Sequence, residues 1–171
     1  MKTLTEQIKE FHIACDEVMP QVPTMLEVDP EAVYIAKDIE LMSQGIKRYT
    51  ANESDNLLLK RVSWMLEEIA ELLRADSIEG QVDALVDLTV FTKGTYTYMG
   101  LTPEPFEDIV MQANMGKVGE NGKVLKNEQG KIIKPDGWHE QYAPEPKIAA
   151  EIERQRVEAD RLILLPEDLS F

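Results

Sequence analysis

Apolar residues recur three and four positions apart along most of this chain, a spacing that favours α-helices over strands. The first such segment runs from about Thr5 to Val18 and is ended by Pro20. Its apolar stripe consists of Ile8, Phe11, Ala14, Cys15 and Val18. Because one helix of this kind buries only one stripe, the segment needs further helices to pack against.

Start and stop signals divide the next part of the chain into four more helices. Asp29-Pro30 reads as a capping residue followed by proline at the first helical position, and Gly100 ends the fourth helix. The predicted spans are about 30–49, 77–99 and 102–116, with a third helix that starts after Asn52 or Ser54 and runs to about Ala75. The sequence therefore predicts an all-α fold, a bundle of helices.

Glycine and proline change the pattern after the fifth helix. Between Val118 and Pro135 lie the turn signals Asn121-Gly122 and Gln129-Gly130, separated by short apolar pairs. We expect a small β-hairpin or an ordered loop here, which we call the flap. A charged amphipathic helix is predicted to follow, from about Lys147 to Leu165.

The length of 171 residues suits one domain. We expect a catalytic core at about 5–138 and a helical extension at about 144–165. The formal net charge of −14 argues against binding of nucleic acid through the general surface, which needs an excess of basic residues.

Cys15 is the one cysteine, so it forms neither an intrachain disulfide nor a zinc site. That composition favours a reducing compartment. No run approaches about 18 apolar residues, and the amphipathic N-terminus lacks a signal-peptide core. We therefore expect a cytoplasmic protein with no membrane partner.

Two predicted helices carry closely spaced acids. Glu67, Glu68 and Glu71 share the border of the apolar stripe on the third helix, and Asp83 and Asp87 share a face of the fourth. The fourth helix is apolar on most sides, so we expect it to be buried. Buried carboxylates need a partner, and a divalent cation is one solution. Solvated acids or interhelical salt bridges are the alternatives.

These motifs resemble those of the all-α nucleoside triphosphate (NTP) pyrophosphatases, which include MazG-like proteins, phosphoribosyl-ATP pyrophosphohydrolases and dimeric dUTPases. The resemblance lies in WMLEEIAELL followed by VDALVDLTVFTKG, in Phe11-His12, and in Asn114-Met115-Gly116-Lys117 before the flap. It extends from about Thr5 to Trp138.

The resemblance implies Mg²⁺- or Mn²⁺-dependent hydrolysis of an NTP to the monophosphate and pyrophosphate, by a dimer or a dimer of dimers. It implies Glu68, Glu71 and Asp87 as metal ligands, and Glu67 as a further ligand or as the base. Glu67 or Glu68 would position or deprotonate the attacking water. The second acidic pair of the family is three apart, whereas Asp83 and Asp87 are four apart. Asp83 therefore binds metal at another angle or supports a ligand.

A phage-encoded MazZ-type subgroup, which acts on dGTP or GTP, is similar in size and layout. It implies a guanine nucleotide as substrate, and the host cytoplasm as location if the chain is phage-encoded. If the protein is an enzyme of another specificity, the alternatives are a dUTPase and a phosphoribosyl-ATP pyrophosphohydrolase. A non-enzymatic helical oligomer that binds a partner protein is the alternative outside catalysis.

Five lysines and two glutamates lie between Asn114 and Pro135, a local excess of positive charge in an acidic chain. Positive charge opposite a metal site suits a polyphosphate. The substrate-binding candidates are Asn114, Lys117, Lys134, Lys93 and His12. For Lys123 and Lys126 we favour a role in keeping the exposed flap soluble. We expect Trp138 and His139 to be packed residues at the end of the core, without a role in substrate binding.

Overall fold

The computed structural model describes residues 2–163, which form seven helices. They are α1 (Leu4–Ala14), α2 (Ala32–Asn52), α3 (Leu57–Arg74), α4 (Ile78–Tyr98), α5 (Glu104–Met115), α6 (Trp138–Tyr142) and α7 (Pro144–Ile163). Within this range the β-structure is limited to two isolated antiparallel bridges. The prediction of an all-α fold is confirmed, and no described helix has the length and apolarity needed to span a bilayer.

Side-chain caps fix the starts of α3 and α4. Asn56 accepts a hydrogen bond from the backbone N–H of Leu59 at 3.0 Å, and Ser77 accepts one from Gly80 at 3.1 Å. Such caps satisfy amide groups that have no partner inside the helix. The start of α2 differs from the prediction, because Asp29 accepts from the N–H of Glu31 at 2.8 Å and the helix begins at Ala32.

The first helix ends at Ala14, so the prediction that it continues to Val18 is wrong. Asp16 adopts the left-handed conformation with φ of 62°, which breaks the helical path. Val18 is consequently 98% exposed and does not extend the apolar stripe. Apolar spacing alone does not reveal this break.

Residues 20–100 form one compact unit that contains α2, α3 and α4. Small residues line the contact between α2 and α3, where Ala36, Ser43, Ser63 and Ala70 are fully buried. The Ser43 hydroxyl donates to the carbonyl of Ser63 at 2.8 Å. Small side chains let the two helices approach closely, so α3 is held in a fixed position against α2.

Arg61 joins α3 to α4 within the same unit. It is buried, donates to the Thr95 hydroxyl at 2.7 Å and to the Phe91 carbonyl at 2.5 Å, and lies over the ring of Tyr98. A Cβ atom on Gly94 would lie 2.7 Å from the Arg61 guanidinium. Glycine at this position therefore leaves room for the arginine that fixes the two helices to each other.

The described residues up to Met19 and from Leu101 onward form a second compact unit. It contains α1, α5, α6, α7 and the flap. Trp138 is 5% exposed, and its indole N–H donates to the carbonyl of Ala113 at 2.9 Å. The short helix α6, which begins at Trp138, was not predicted. A single catalytic domain stays a prediction.

The flap is an ordered loop with two tight turns, in agreement with one of the two predicted forms. Gly122 and Gly130 have positive φ, and antiparallel bridges join Val118 to Val124 and Lys126 to Ile132. The last predicted helix runs from Pro144 to Ile163, and the predicted end at Leu165 lies outside the described residues.

Two flap lysines have a structural role that the sequence did not indicate. Lys123 donates to the carbonyl of Ile13 and contacts Asp16, and Lys126 donates to the carbonyl of Cys15 at 2.7 Å. Carbonyl groups at the end of a helix lack partners inside it, and cations near them are favourable. The role in solubility favoured for Lys123 and Lys126 is therefore wrong, because both side chains fasten the flap to the end of α1.

Candidate active site

The acid cluster, defined as Glu67, Glu68, Glu71, Asp83 and Asp87, lies on two helices that pack together. The three glutamates belong to α3 and the two aspartates to α4. Glu68 interacts electrostatically with each of the other four. The structure therefore brings the five predicted metal-binding acids into one neighbourhood.

Glu68 is the most unusual member of the acid cluster. Its Oε2 atom is buried and has no hydrogen-bond partner. Burial raises the pKa of its carboxyl group above the usual 4.5, and the charges of Glu71 and Asp87 raise it further. A buried acceptor without a partner is costly unless another group, such as an ion, satisfies it.

Helix α4 is not buried within this chain, contrary to the prediction from its composition. Val82, Val86 and Val90 are 53%, 54% and 60% exposed. Asp83 and Asp87 are also exposed, so water solvates them. Helix α4 packs against α3, but its buried residues are limited to Gln81, which bonds to the backbone of Leu26, and Ala84. Much of the apolar surface of α4 is therefore uncovered.

Glu67 has a partner from another helix. The ammonium group of Lys47, on α2, forms an ion pair with the Glu67 carboxylate. Both side chains are partly exposed. Within the described residues, Glu71, Asp83 and Asp87 make no comparable ion pair, so Glu67 differs from the rest of the acid cluster in its electrostatic surroundings.

The donor atoms of the acid cluster are of the type that a hard divalent cation prefers. Its donors are all carboxylate oxygens, which Mg²⁺ and Mn²⁺ prefer. The orphaned oxygen of Glu68 lacks a positive partner, and a cation would offset the repulsion among the acids. Among residues 2–163, however, no three acidic, histidine or cysteine side chains converge closely enough to form a ready-made metal site.

A second group of predicted site residues lies together in the other unit. The Lys117 ammonium donates to the Asn114 side-chain oxygen at 2.7 Å and lies 5.8 Å from the centre of the Trp138 ring. The Lys134 ammonium lies 4.0 Å from the same ring centre. We call Asn114, Lys117, Lys134 and Trp138 the lysine cluster.

The lysine cluster is electrostatically suited to an anion. Burial lowers the pKa of Lys117, and the neighbouring charge of Lys134 lowers it further. Neither ammonium has a carboxylate partner among the described residues. Trp138 offers its ring face to both, an arrangement that stabilises cations without neutralising them. The group can therefore accept a phosphate or another anion.

The two other predicted substrate-binding residues have different surroundings. His12 contacts the side chain of Glu17 through Nδ1. Lys93 is partly buried on α4, six residues after Asp87 and so about 120° away around the helix. Sequence reasoning missed Lys47 as the partner of the acid cluster and the ring of Trp138 as part of the lysine cluster. No sequence spacing indicated either, because each meets its partners through tertiary packing.

Comparison with known proteins agrees with the architecture. Residues 35–114 match the phosphoribosyl-ATP pyrophosphohydrolase family, a span that contains all five members of the acid cluster. A crystal structure of a candidate NTP pyrophosphohydrolase from Exiguobacterium sp. 255-15 superposes with a TM-score of 0.62 at 28% identity. The match covers 92% of this chain and 98% of that one. No curated protein matches the sequence.

A helical bundle with acids on two packed helices agrees with both matches. They support the all-α NTP pyrophosphatase superfamily, in its MazG-like and phosphoribosyl-ATP pyrophosphohydrolase-like part, as the group of proteins that this chain is similar to. The likeness supports a hydrolase that acts on phosphorus-containing anhydrides.

Proposed function

We propose that this protein is a metal-dependent pyrophosphohydrolase that converts a ribo- or deoxyribonucleoside triphosphate to the monophosphate and pyrophosphate. The observation that carries the proposal is the buried, unpartnered oxygen of Glu68 amid four other carboxylates. Such a charge distribution opposes folding unless a cation compensates it. The likeness to this family and to the NTP pyrophosphohydrolase structure supports the reaction class.

Glu68, Glu71, Asp83 and Asp87 would hold the Mg²⁺ or Mn²⁺ ion or ions. When bound, such an ion polarises phosphate oxygens and lowers the pKa of a water molecule. Glu67 would be a further ligand or the base, and Glu67 or Glu68 would position or deprotonate the water that attacks the α-phosphorus. The new P–O bond forms as the bond to the bridging oxygen of the leaving pyrophosphate breaks.

The lysine cluster would bind the phosphates of the substrate. Lys117 and Lys134 supply positive charge, and the Asn114 amide can donate a hydrogen bond to phosphate, sugar or base. His12, with Phe11, would contact the base. Lys93 would reach a phosphate or offset the charge of the acid cluster. A guanine nucleotide, dGTP or GTP, is the substrate we propose, from the likeness to the MazZ-type subgroup.

A panel of all NTPs and dNTPs, together with phosphoribosyl-ATP, tests the substrate proposal. Each is incubated with Mg²⁺, Mn²⁺ or EDTA, and the products are separated by ion exchange. We expect guanine nucleotides to be turned over best. If dUTP or phosphoribosyl-ATP is hydrolysed best, the proposed substrate is wrong but the proposed reaction, release of pyrophosphate, still holds. Absence of turnover on every substrate would favour the non-enzymatic binding module.

The exposed apolar surface of α4 supports a homo-oligomer. Val82, Val86 and Val90 recur every four residues on one face of the helix and are each more than half exposed. Exposed apolar patches on a helix commonly mark an interface. We propose that a second copy of this chain covers α4, in a dimer or a dimer of dimers.

Light scattering after size exclusion tests this assembly. The unaltered protein should have the mass of a dimer or tetramer, and Val86→Glu should shift it toward the monomer because a charge would be buried at the interface. Val18→Glu is the matched control, since Val18 is almost fully exposed in the loop after α1. A monomeric unaltered protein, or equal behaviour of the two variants, contradicts the proposal.

A further inference from the structure

The ion pair between Lys47 and Glu67 distinguishes Glu67 from its neighbour Glu68. Both are consecutive residues of α3, yet Glu67 has an ammonium partner from α2 while Glu68 has an orphaned oxygen. The ion pair occupies Oε1 of Glu67, so a metal ion can use both oxygens of this carboxylate only if the pair breaks. Glu68 has no such partner to lose, so a cation should favour Glu68 over Glu67.

The surroundings of Lys47 place the pair on a solvent-accessible side of α3. Lys47 lines a cavity of about 820 Å³ at the turn between α2 and α3, together with Thr50, Ser63 and Trp64. The hydrogen bond from the Ser43 hydroxyl to the Ser63 carbonyl lies one turn before Lys47 on α2 and one turn before Glu67 on α3, and it joins the two helices that carry the ion pair. Water can therefore reach Glu67 while Lys47 holds it.

We propose that Lys47 is a positioning residue that withholds Glu67 from the metal ion and orients its carboxylate so that the other oxygen accepts the proton of the attacking water. The inference rests on the proposed function and decides between the two roles that the sequence left open for Glu67. By this account Glu68, Glu71 and the α4 aspartates hold the ion, and Glu67 does not. Lys47 acts through Glu67 and does not contact the reacting atoms.

The test compares Lys47→Met with Lys47→Arg, Glu67→Gln and Lys37→Met. Lys37 is an exposed lysine of the same helix and serves as the matched control. Binding of Mn²⁺ alone is followed by electron paramagnetic resonance, and kcat is measured separately on the best substrate. Thermal unfolding confirms that each variant is folded.

We expect Lys47→Met to change the two measurements in opposite directions. Mn²⁺ affinity should rise several-fold because Glu67 becomes an additional ligand, while kcat should fall about ten- to a hundredfold, as for groups that orient a ligand or base. Lys47→Arg should retain most activity because it keeps the ion pair. Glu67→Gln should lower kcat and leave Mn²⁺ affinity nearly unchanged.

The inference is overturned if Lys47→Met behaves like Lys37→Met, if it weakens Mn²⁺ binding, or if Glu67→Gln weakens Mn²⁺ binding as much as Glu68→Gln. A merely structural role would lower stability and both measurements together. Should Lys47→Met fail to fold, the Mn²⁺ affinity of Glu67→Gln decides the case. If the unaltered protein hydrolyses no nucleotide, the proposed function fails, while the Mn²⁺ measurements still decide whether Lys47 restrains Glu67.

Discussion

Replacing Glu68 by glutamine should abolish turnover and leave the fold intact. The amide has the shape of the carboxyl group but no negative charge for a cation. We expect kcat to fall by more than about a hundredfold, the upper range for groups that only support a metal ligand. Mn²⁺ affinity should fall with it. Measurement of kcat beside a thermal melt separates this result from unfolding.

The same variant should be at least as stable as the unaltered protein in EDTA at neutral pH. Folding raises the pKa of Glu68, so the folded state binds its proton more tightly than the unfolded state does. The resulting penalty is absent below the ordinary pKa of 4.5 and grows as the pH rises through the raised value in the folded protein.

The melting temperatures of the two proteins should therefore separate in favour of Glu68→Gln as the pH rises from about 4 to about 8, a range that begins near the ordinary carboxyl pKa values. Glu79→Gln, at an exposed position in the first turn of α4, is the control and should show no such divergence. A folded Glu68→Gln variant with full activity would remove Glu68 from the site.

Lys117→Met should weaken substrate binding while the unliganded protein keeps or gains stability. An ammonium–phosphate hydrogen bond contributes about 1.5–3 kcal/mol, so KM should rise roughly ten- to a hundredfold. The stability change has the opposite sign because burial and Lys134 both disfavour the charged form of Lys117. Methionine keeps an unbranched side chain at this position, beside the rings of Phe11 and Trp138, and removes that charge.

Steady-state kinetics and a thermal melt without substrate check the two effects. Lys131→Met is the matched control, because Lys131 is an exposed lysine of the same flap. It should change neither KM nor stability appreciably. A normal KM for Lys117→Met, or a loss of stability equal to its loss of binding, would assign Lys117 a structural role.

Helix spacing and capping residues predicted most of the fold because both depend on local sequence. Asn56 and Ser77 cap α3 and α4 near the predicted starts. The end of α1 was placed too late, because the spacing of apolar residues carries no information about the left-handed backbone conformation of Asp16. The flap lysines were misread because Lys123 and Lys126 contact α1 more than a hundred residues away in sequence.

The exposure of α4 shows a different limit. Apolar composition indicates that a surface will be covered, but it does not say whether the same chain or another molecule covers it. The stripe of Val82, Val86 and Val90 is uncovered in this chain. The sequence correctly indicated that α4 is largely apolar, but it did not indicate that this apolar surface is exposed in the single chain.

The candidate site was predictable where its residues share a helix or a short segment. Helical spacing grouped Glu67 with Glu68 and Glu71, and the resemblance to the NTP pyrophosphatases grouped Asn114 with Lys117. The unequal surroundings of Glu67 and Glu68 could not be predicted. They depend on Lys47, which lies twenty residues earlier and meets Glu67 only through the packing of α2 on α3.

The most direct test of the central claim is ³¹P NMR of the products formed in ¹⁸O-labelled water, with the preferred nucleotide and either Mg²⁺ or EDTA. Attack at the α-phosphorus predicts equal amounts of monophosphate and pyrophosphate, with the label in the monophosphate and no reaction in EDTA. Release of orthophosphate and a nucleoside diphosphate, label in the pyrophosphate, or undiminished turnover in EDTA would contradict the account.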